Sequence, residues 1–262
     1  MKFFFIFFIL NLIFSRQIFS LESAYSTQFY NVEINNELIL DAKNREIKAI
    51  KALSLDSILK NILTSDNYKK ILKLINLDTE INKLVQNIII ENEFISADKY
   101  KANIKINFDH KEIVKLLRIN KINYSDLEIP YSLIVVSEST SLAKYGLTNN
   151  NSFYKNNNIN YLVSRNLIIP NLTLNDRFIL PFNKIEEKNL EALKIFANKY
   201  NANNIFIINI NSLSDNYNFN IKFYSYKDQY IKDVGEITIY KNQDFYMPTF
   251  DLINNWWKKE NQ

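Results

Sequence analysis

The chain has 262 residues, 47% hydrophobic and 23% charged, with a formal charge of +4, a balance that excludes disorder as its main state and allows one large or two small domains. Two glycines, Gly146 and Gly235, cannot build a P-loop, a dinucleotide fingerprint or a serine-nucleophile elbow. No Cys and a single His exclude disulfides, thiolate nucleophiles, Cys-ligated zinc, a lipidated N-terminal cysteine and every site that needs two imidazoles.

Residues 1–20 read as a secretory signal peptide. Lys2 supplies the positive start, Phe3 to Phe14 form an apolar run broken only by Asn11, and Ile18-Phe19-Ser20 places cleavage after Ser20. Coiled as a helix, that run spans about 18 Å, against a hydrocarbon core of about 30 Å. The alternative is an uncleaved anchor in the inner membrane, continuing through Arg16 and Gln17, with membrane contact confined to residues 1–20. Removing Lys2 and Arg16 leaves 30 bases and 28 acids. That near-neutral mature chain argues against a nucleic-acid partner, which needs a clustered basic surface. The densest cluster, Lys69-Lys70-Lys73, reads as the solvated side of a helix.

Gln28–Asn35 alternates as a first strand. A helical stretch follows over 41–63, and its apolar phase changes midway. Ala42, Ala49, Ile50 and Leu53 share one side, Leu55, Ile58, Leu59 and Ile62 another, which implies a break near 54–56 or burial on two sides. Tyr68, Ile71, Leu72 and Ile75 form the next stripe. Ile81, Leu84, Val85 and Ile88 form a third behind an Asp78 cap. Tyr100, Ala102, Ile104, Ile106 and Phe108 then alternate strictly with polar residues, as in a half-buried strand. Asp109 and Glu112 fit an N-cap with an acid three residues on, opening a helix whose apolar face is Ile113, Leu116 and Leu117.

Ser132–Val136 reads as a strand entered through Pro130. The chain carries 40 Asn, a bias spread along its whole length, so runs such as Asn149-Asn150-Asn151 and Asn156-Asn157-Asn158 read as loop. A long Asn-rich loop is expected at 137–158, a short helix at 161–166, and irregular chain with short strands at 166–180. Asn183 and Glu186 form a second capping pair for a helix to Tyr200, with Leu193, Phe196, Ala197 and Tyr200 on its apolar face. Ile205–Ile210 has the continuous apolarity of a central strand. Tyr217–Phe223 and Ile231–Tyr240 are two more strands. Pro248 suits the first turn of a terminal helix that buries Phe250, Ile253 and Trp257. The expected fold is α+β: two small mixed subdomains, 21–128 and 129–262, each a short, mostly antiparallel sheet covered by helices.

The stretch Phe94-Ile95-Ser96-Ala97-Asp98-Lys99-Tyr100, the strand ending in Phe108-Asp109, Ile113 to Arg118, and Pro130 with its strand resemble the domain-of-unknown-function family numbered two thousand and sixty-six. Tyr30-Asn31-Val32 before a long helix and Ala197 to Ala202 before a strand extend the resemblance over most of the mature chain. It implies a proteobacterial envelope protein with a signal peptide. It implies no activity, substrate or catalytic residue. Where that family has Gly, this chain has Asn120 and Asn201, and Asn is the usual second choice for positive φ.

His110 with Asp109 and Glu112 is the only set resembling an acid–base site, and a capped helix with His in its first turn explains it equally. Glu91 with Glu93, and Glu186 with Glu187, are pairs a carboxylate-dependent hydrolase could use, but as sequence neighbours they read as solvated faces. Tyr224, Tyr226 and Tyr230, on the outer side of the last sheet, are candidates for a surface that holds a glycan or a partner segment, and Trp256 joins them, since Trp256 and Trp257 cannot both face inward. The chain therefore reads as a periplasmic, non-catalytic interaction module for cell-envelope assembly or maintenance, with an envelope protein as partner and no metal or cofactor. The alternatives are a periplasmic small-molecule or glycan binder and, third, the hydrolase.

Overall fold

The computed structural model describes residues 24, 25, 27–35, 39–74, 77–155 and 166–262. The signal peptide and its cleavage site at Ser20 lie outside the described residues, as does the short helix expected at 161–166, apart from Asn166. The fold is α+β, and the chain divides into two compact units, one ending at Glu128 and joined by Lys258–Gln262, the other spanning Ile129–Trp257.

Unit 1 contains β1 (Tyr30–Asn35), α1 (Ile39–Ile62), α2 (Ser65–Leu74), α3 (Leu77–Leu84), β2 (Val85–Ile95), β3 (Lys99–Phe108) and α4 (His110–Ile119). Its antiparallel sheet has the order β1-β3-β2. β3 is central, and its alternation resolves into one buried face, Tyr100, Ala102, Ile104, Ile106 and Phe108. α1 is unbroken. Ile50, Ser54, Ile58 and Ile62, four apart, form one continuous buried stripe flanked by Leu55 and Leu59, whereas Ala49 and Leu53 are exposed. Burial of the polar Ser54 in mid-stripe is what makes the sequence read as two phases. The buried Lys258 ammonium donates to the Lys60 and Leu63 carbonyls, at 2.6 and 2.9 Å, and so neutralises the carbonyl end of α1.

The third stripe is not one helix. The chain turns from α3 to β2 at Leu84/Val85, and Ile88 lies in the strand. The β-branched run Ile88-Ile89-Ile90 favours extended chain, and pairing with β3 satisfies its amides on one side. Asp109 caps α4, accepting from the amides of Lys111 at 2.8 Å and Glu112 at 3.4 Å. At its other end Asn120 has φ −86°, and the positive φ falls on Lys121, at +52°. Asn120 instead turns its side chain back to donate to the Leu116 carbonyl at 2.9 Å.

Unit 2 contains β4 (Ser132–Ser139), β5 (Lys144–Tyr145), α5 (Ser152–Lys155), β6 (Leu167–Ile168), α6 (Leu174–Ile179), α7 (Phe182–Glu186), α8 (Leu190–Lys199), β7 (Asn204–Ser212), β8 (Asn216–Ser225), β9 (Tyr230–Tyr240) and α9 (Tyr246–Glu260) as far as Trp257, its last residues from Lys258 belonging to unit 1. The sheet order is β5-β4-β7-β8-β9, with β6 beside β4. β4 runs parallel to both β6 and β7, and the other pairings are antiparallel. β7 is central: Ile205, Phe206, Ile207 and Ile208 are fully buried, with the Leu193, Phe196 and Ala197 face of α8 in the same core.

The loop expected at 137–158 is largely structured as far as it is described. β4 continues to Ser139, and β5 and α5 follow. Asn151, read as loop, is fully buried. Its amide donates to the carbonyls of Gly146 at 3.2 Å and Val136 at 3.3 Å, and its Oδ1 accepts from the Phe153 amide at 3.0 Å. A buried carboxamide that stands in for missing backbone partners looks like loop composition in a sequence. The helix expected from Asn183 is two helices. Pro181 occupies the cap position of α7 without a side-chain bond, and Asn189 caps α8 through the Ala192 amide at 2.9 Å.

Asn201, just past α8, is exposed and has φ +50°. Asn201→Gly is expected to leave stability unchanged or slightly raised. Asn201→Val is expected to cost about 1–2 kcal/mol, the penalty for a branched side chain in that region, and urea unfolding of both variants measures the difference.

Candidate functional site

The chemistry of unit 2 gathers on one face of the β7-β8-β9 meander. Ile208 and Ile210 on β7, Phe219, Ile221 and Phe223 on β8, and Ile239 on β9 enter the core. The alternate positions point the other way. The register sets Asn209 opposite Asn220 and Asn220 opposite Glu236, then Asn211 opposite Asn218 and Asn218 opposite Thr238. These two polar rows, with Glu186 at the end of α7 and Ser139 at the end of β4, line a cleft of about 520 Å³. That volume lies in the range of small-ligand sites.

The polar groups are braced by one another. The Asn209 amide donates to Ser137 Oγ at 2.7 Å and Glu186 Oε1 at 2.6 Å, and the Ser137 hydroxyl donates to the same Glu186 oxygen. The Asn220 amide donates to Glu236 Oε1 at 2.5 Å, and the Thr238 hydroxyl donates to Asn218 Oδ1 at 2.9 Å. On the same face, next to Asn220, Lys222 is paired with Asp233. Among the described residues, the lining includes no His, Lys or Tyr to act as a base beside Ser139. Among the described residues, no group of three or more His, Cys, Asp or Glu side chains is placed to hold a metal ion.

The tyrosine surface takes a different form. Tyr224 is fully buried, because it pairs across the sheet with Ile205 on the covered face, and Tyr226 packs on the same core. Trp256 also packs inward, 4.9 Å from the Phe223 ring and 6.3 Å from Phe206, and Trp257 approaches Phe223 from 6.1 Å. Both indoles therefore flank one ring, which the helical spacing alone did not suggest. Tyr230 remains at the surface, with the Lys232 ammonium 5.5 Å from its ring.

His110 Nε2 lies 4.0 Å from Asp126 Oδ2, beyond hydrogen-bond reach, and the His110 ring meets the edge of Tyr25 at 4.3 Å. Burial first, then the Asp126 and Tyr124 charges, push the Tyr25 hydroxyl well above its usual range, which keeps it protonated. Asp109 and Glu112 are occupied with the helix start and Lys115. His110→Ala is expected to cost less than about 1 kcal/mol, and Asp109→Ala about 0.5–2 kcal/mol because a cap is lost; thermal unfolding ranks the two.

Glu91 and Glu93 are separated by a bulge between Glu91 and Phe94, and Glu93 accepts from Lys43 at 2.7 Å and the Tyr100 hydroxyl at 3.0 Å. Glu186 and Glu187 close α7 and open no helix. Of the candidate site residues read from the sequence, Glu186 alone lines the cleft. Asn209, Asn218, Asn220 and Glu236 were legible as the outward half of alternating strands, but not as neighbours. Compared with known proteins, the chain matches no family model and no curated protein sequence.

Proposed function

We propose that the protein is an exported, non-catalytic binding module of the cell envelope and that the cleft of unit 2 takes a polar small molecule or glycan. The observation that carries this reading is the brace: carboxamide holds carboxylate on both sides of the cleft, which fixes acceptor and donor atoms at the concavity without an activated nucleophile. Preorganised polar groups of this kind orient a ligand at little entropic cost. The apolar run within residues 1–20 supports export, and the family resemblance over Phe94–Val136 supports an envelope role. Among the described residues, no helix is long and apolar enough to cross a membrane.

The test is native mass spectrometry of protein purified from the periplasm. A mature N-terminus near Leu21 and a copurifying small molecule lost in Asn209→Leu are the expected results. An intact Met1–Ser20 segment in the membrane fraction overturns cleavage after Ser20 in favour of the anchor, and a ligand-free protein that also binds no added glycan overturns the cleft.

A second reading, docking of an envelope protein, is favoured by one feature. Leu174 and Phe178, one turn apart on α6, are 78% and 85% exposed. Photocrosslinking from position 178 in cells is expected to trap a protein neighbour if this helix docks, and to yield only the monomer if it does not.

A further inference from the structure

The described lining of the cleft carries an uncompensated negative charge. Glu186 and Glu236 both line it, and among the described residues its lining contains no Lys or Arg. The nearby Lys222 is already paired with Asp233, and Lys188 donates to the Glu186 carbonyl at 3.2 Å. Each carboxylate uses one oxygen on the brace, Glu186 Oε1 and Glu236 Oε1, and leaves Oε2 with no donor among the described residues. Asn209 spends both amide hydrogens, on Ser137 Oγ and Glu186 Oε1, and Asn220 spends one, on Glu236 Oε1, while the Oδ1 of each accepts from no described residue. Among the described residues, what this cleft lacks is a donor that carries positive charge.

We infer that the ligand is a small organic cation with at least one primary ammonium group, held by Glu186 and Glu236 and flanked by the carboxamide oxygens of Asn209 and Asn220. An ammonium carries three hydrogens and no acceptor, which suits a carboxylate oxygen beside a carboxamide oxygen. A bare divalent cation suits the cleft less well, since calcium takes six to eight oxygens and the described residues converge no third carboxylate. A cleft of about 520 Å³ also has room for more than an ion. The edge strand β9 supplies Glu236, so the cleft is open to solvent on that side and a chain of several carbons can extend outward. This inference rests on the cleft's being a ligand site and adds the charge of what it takes.

The experiment is calorimetric titration of the full mature chain with 1,4-diaminobutane and spermidine, with glucosamine as the amino sugar, glucose as the neutral counterpart and calcium chloride as the metal arm. Diamine or glucosamine binding is expected, weakening at least tenfold between 50 and 500 mM salt, as charge-driven binding does. Glu236→Gln and Glu186→Gln keep an acceptor for the brace and remove the charge, and each is expected to weaken binding about tenfold while the unfolding midpoint stays unchanged. Glu236→Lys places an ammonium of its own in the cleft and is expected to abolish binding. Glucose binding with the same affinity as glucosamine, unchanged in Glu236→Gln, would overturn the cationic assignment and leave the binding module in place. Saturable calcium binding that displaces the diamines would overturn it in favour of a metal. Failure of every probe to bind overturns both readings.

Discussion

Replacing Ile207 by Ala is expected to destabilise unit 2 by about 2–5 kcal/mol, a large part of the 5–15 kcal/mol that holds a typical domain folded. Ile207 is fully buried on the central strand, flanked by Val135 on β4 and Lys222 on β8. Its side chain shares a face with Ile205 and lies in the same core as Leu193, Phe196 and Ala197 of α8. The site has neighbours on both flanks and above, so truncation leaves a cavity that cannot collapse without breaking a ladder. Urea unfolding measures the cost. A loss within about 0.5 kcal/mol would mean that the strand is peripheral, contrary to its position in the sheet.

Asp176→Ala is the second large effect, expected at about 3 kcal/mol, the lower end for breaking a buried ion pair because Lys199 still reaches solvent. Asp176 is fully buried near the start of α6. Its Oδ1 accepts from Lys199 at 2.6 Å and the Tyr200 hydroxyl at 2.9 Å, and its Oδ2 accepts from the Thr173 amide and hydroxyl, both at 2.8 Å. The Thr173 hydroxyl caps the Asp176 amide in return, so one substitution removes a capping box, strips a part-exposed ammonium of its carboxylate and leaves the Tyr200 hydroxyl without its acceptor. Burial pushes this carboxyl up, but the bonds from Lys199, Thr173 and Tyr200 outweigh it and hold it below the usual carboxylate range. A depressed folded value means that the stabilisation is fully present above the unfolded carboxylate pKa of about 3.9 and is lost as pH falls through the folded value. The gap between wild type and Asp176→Ala should therefore narrow as pH falls below about 4. A gap that stays constant from pH 7 to pH 3 would show that the carboxylate's charge contributes nothing.

What the sequence makes legible follows from where each pattern is enforced. β3 alternates because one face is buried by its own sheet and helix, so Tyr100 to Phe108 can be read residue by residue. β7 reads as central because it is apolar on both sides. The switch at Leu84/Val85 is hidden because Ile81, Leu84, Val85 and Ile88 also fit a helical stripe, and only pairing with β3 decides between the two. Asn151 and Asn189 are hidden among many similar asparagines, since their roles depend on which amides lie within reach. Tyr224 follows an alternation that looks half-exposed, and distant helices cover it. The cleft is the extreme case. Asn209, Asn220 and Glu236 meet through strand register, a property of three segments at once, and no local window contains it.

The parallel pairing of β4 with β7 also sets the order in which this unit can assemble. Asn209 meets Ser137 from 72 residues away, whereas β7, β8 and β9 are successive strands joined by short turns. Closing the long loop costs about 2 kcal/mol more chain entropy than closing a tight hairpin. The β7-β8-β9 meander is therefore the low-contact-order part, able to form early, and β4 docks onto it late. Half of the cleft, the rows on β7, β8 and β9, exists once the meander has formed. The Ser137 part of the brace joins only when β4 closes onto β7, so the site is completed at that closure.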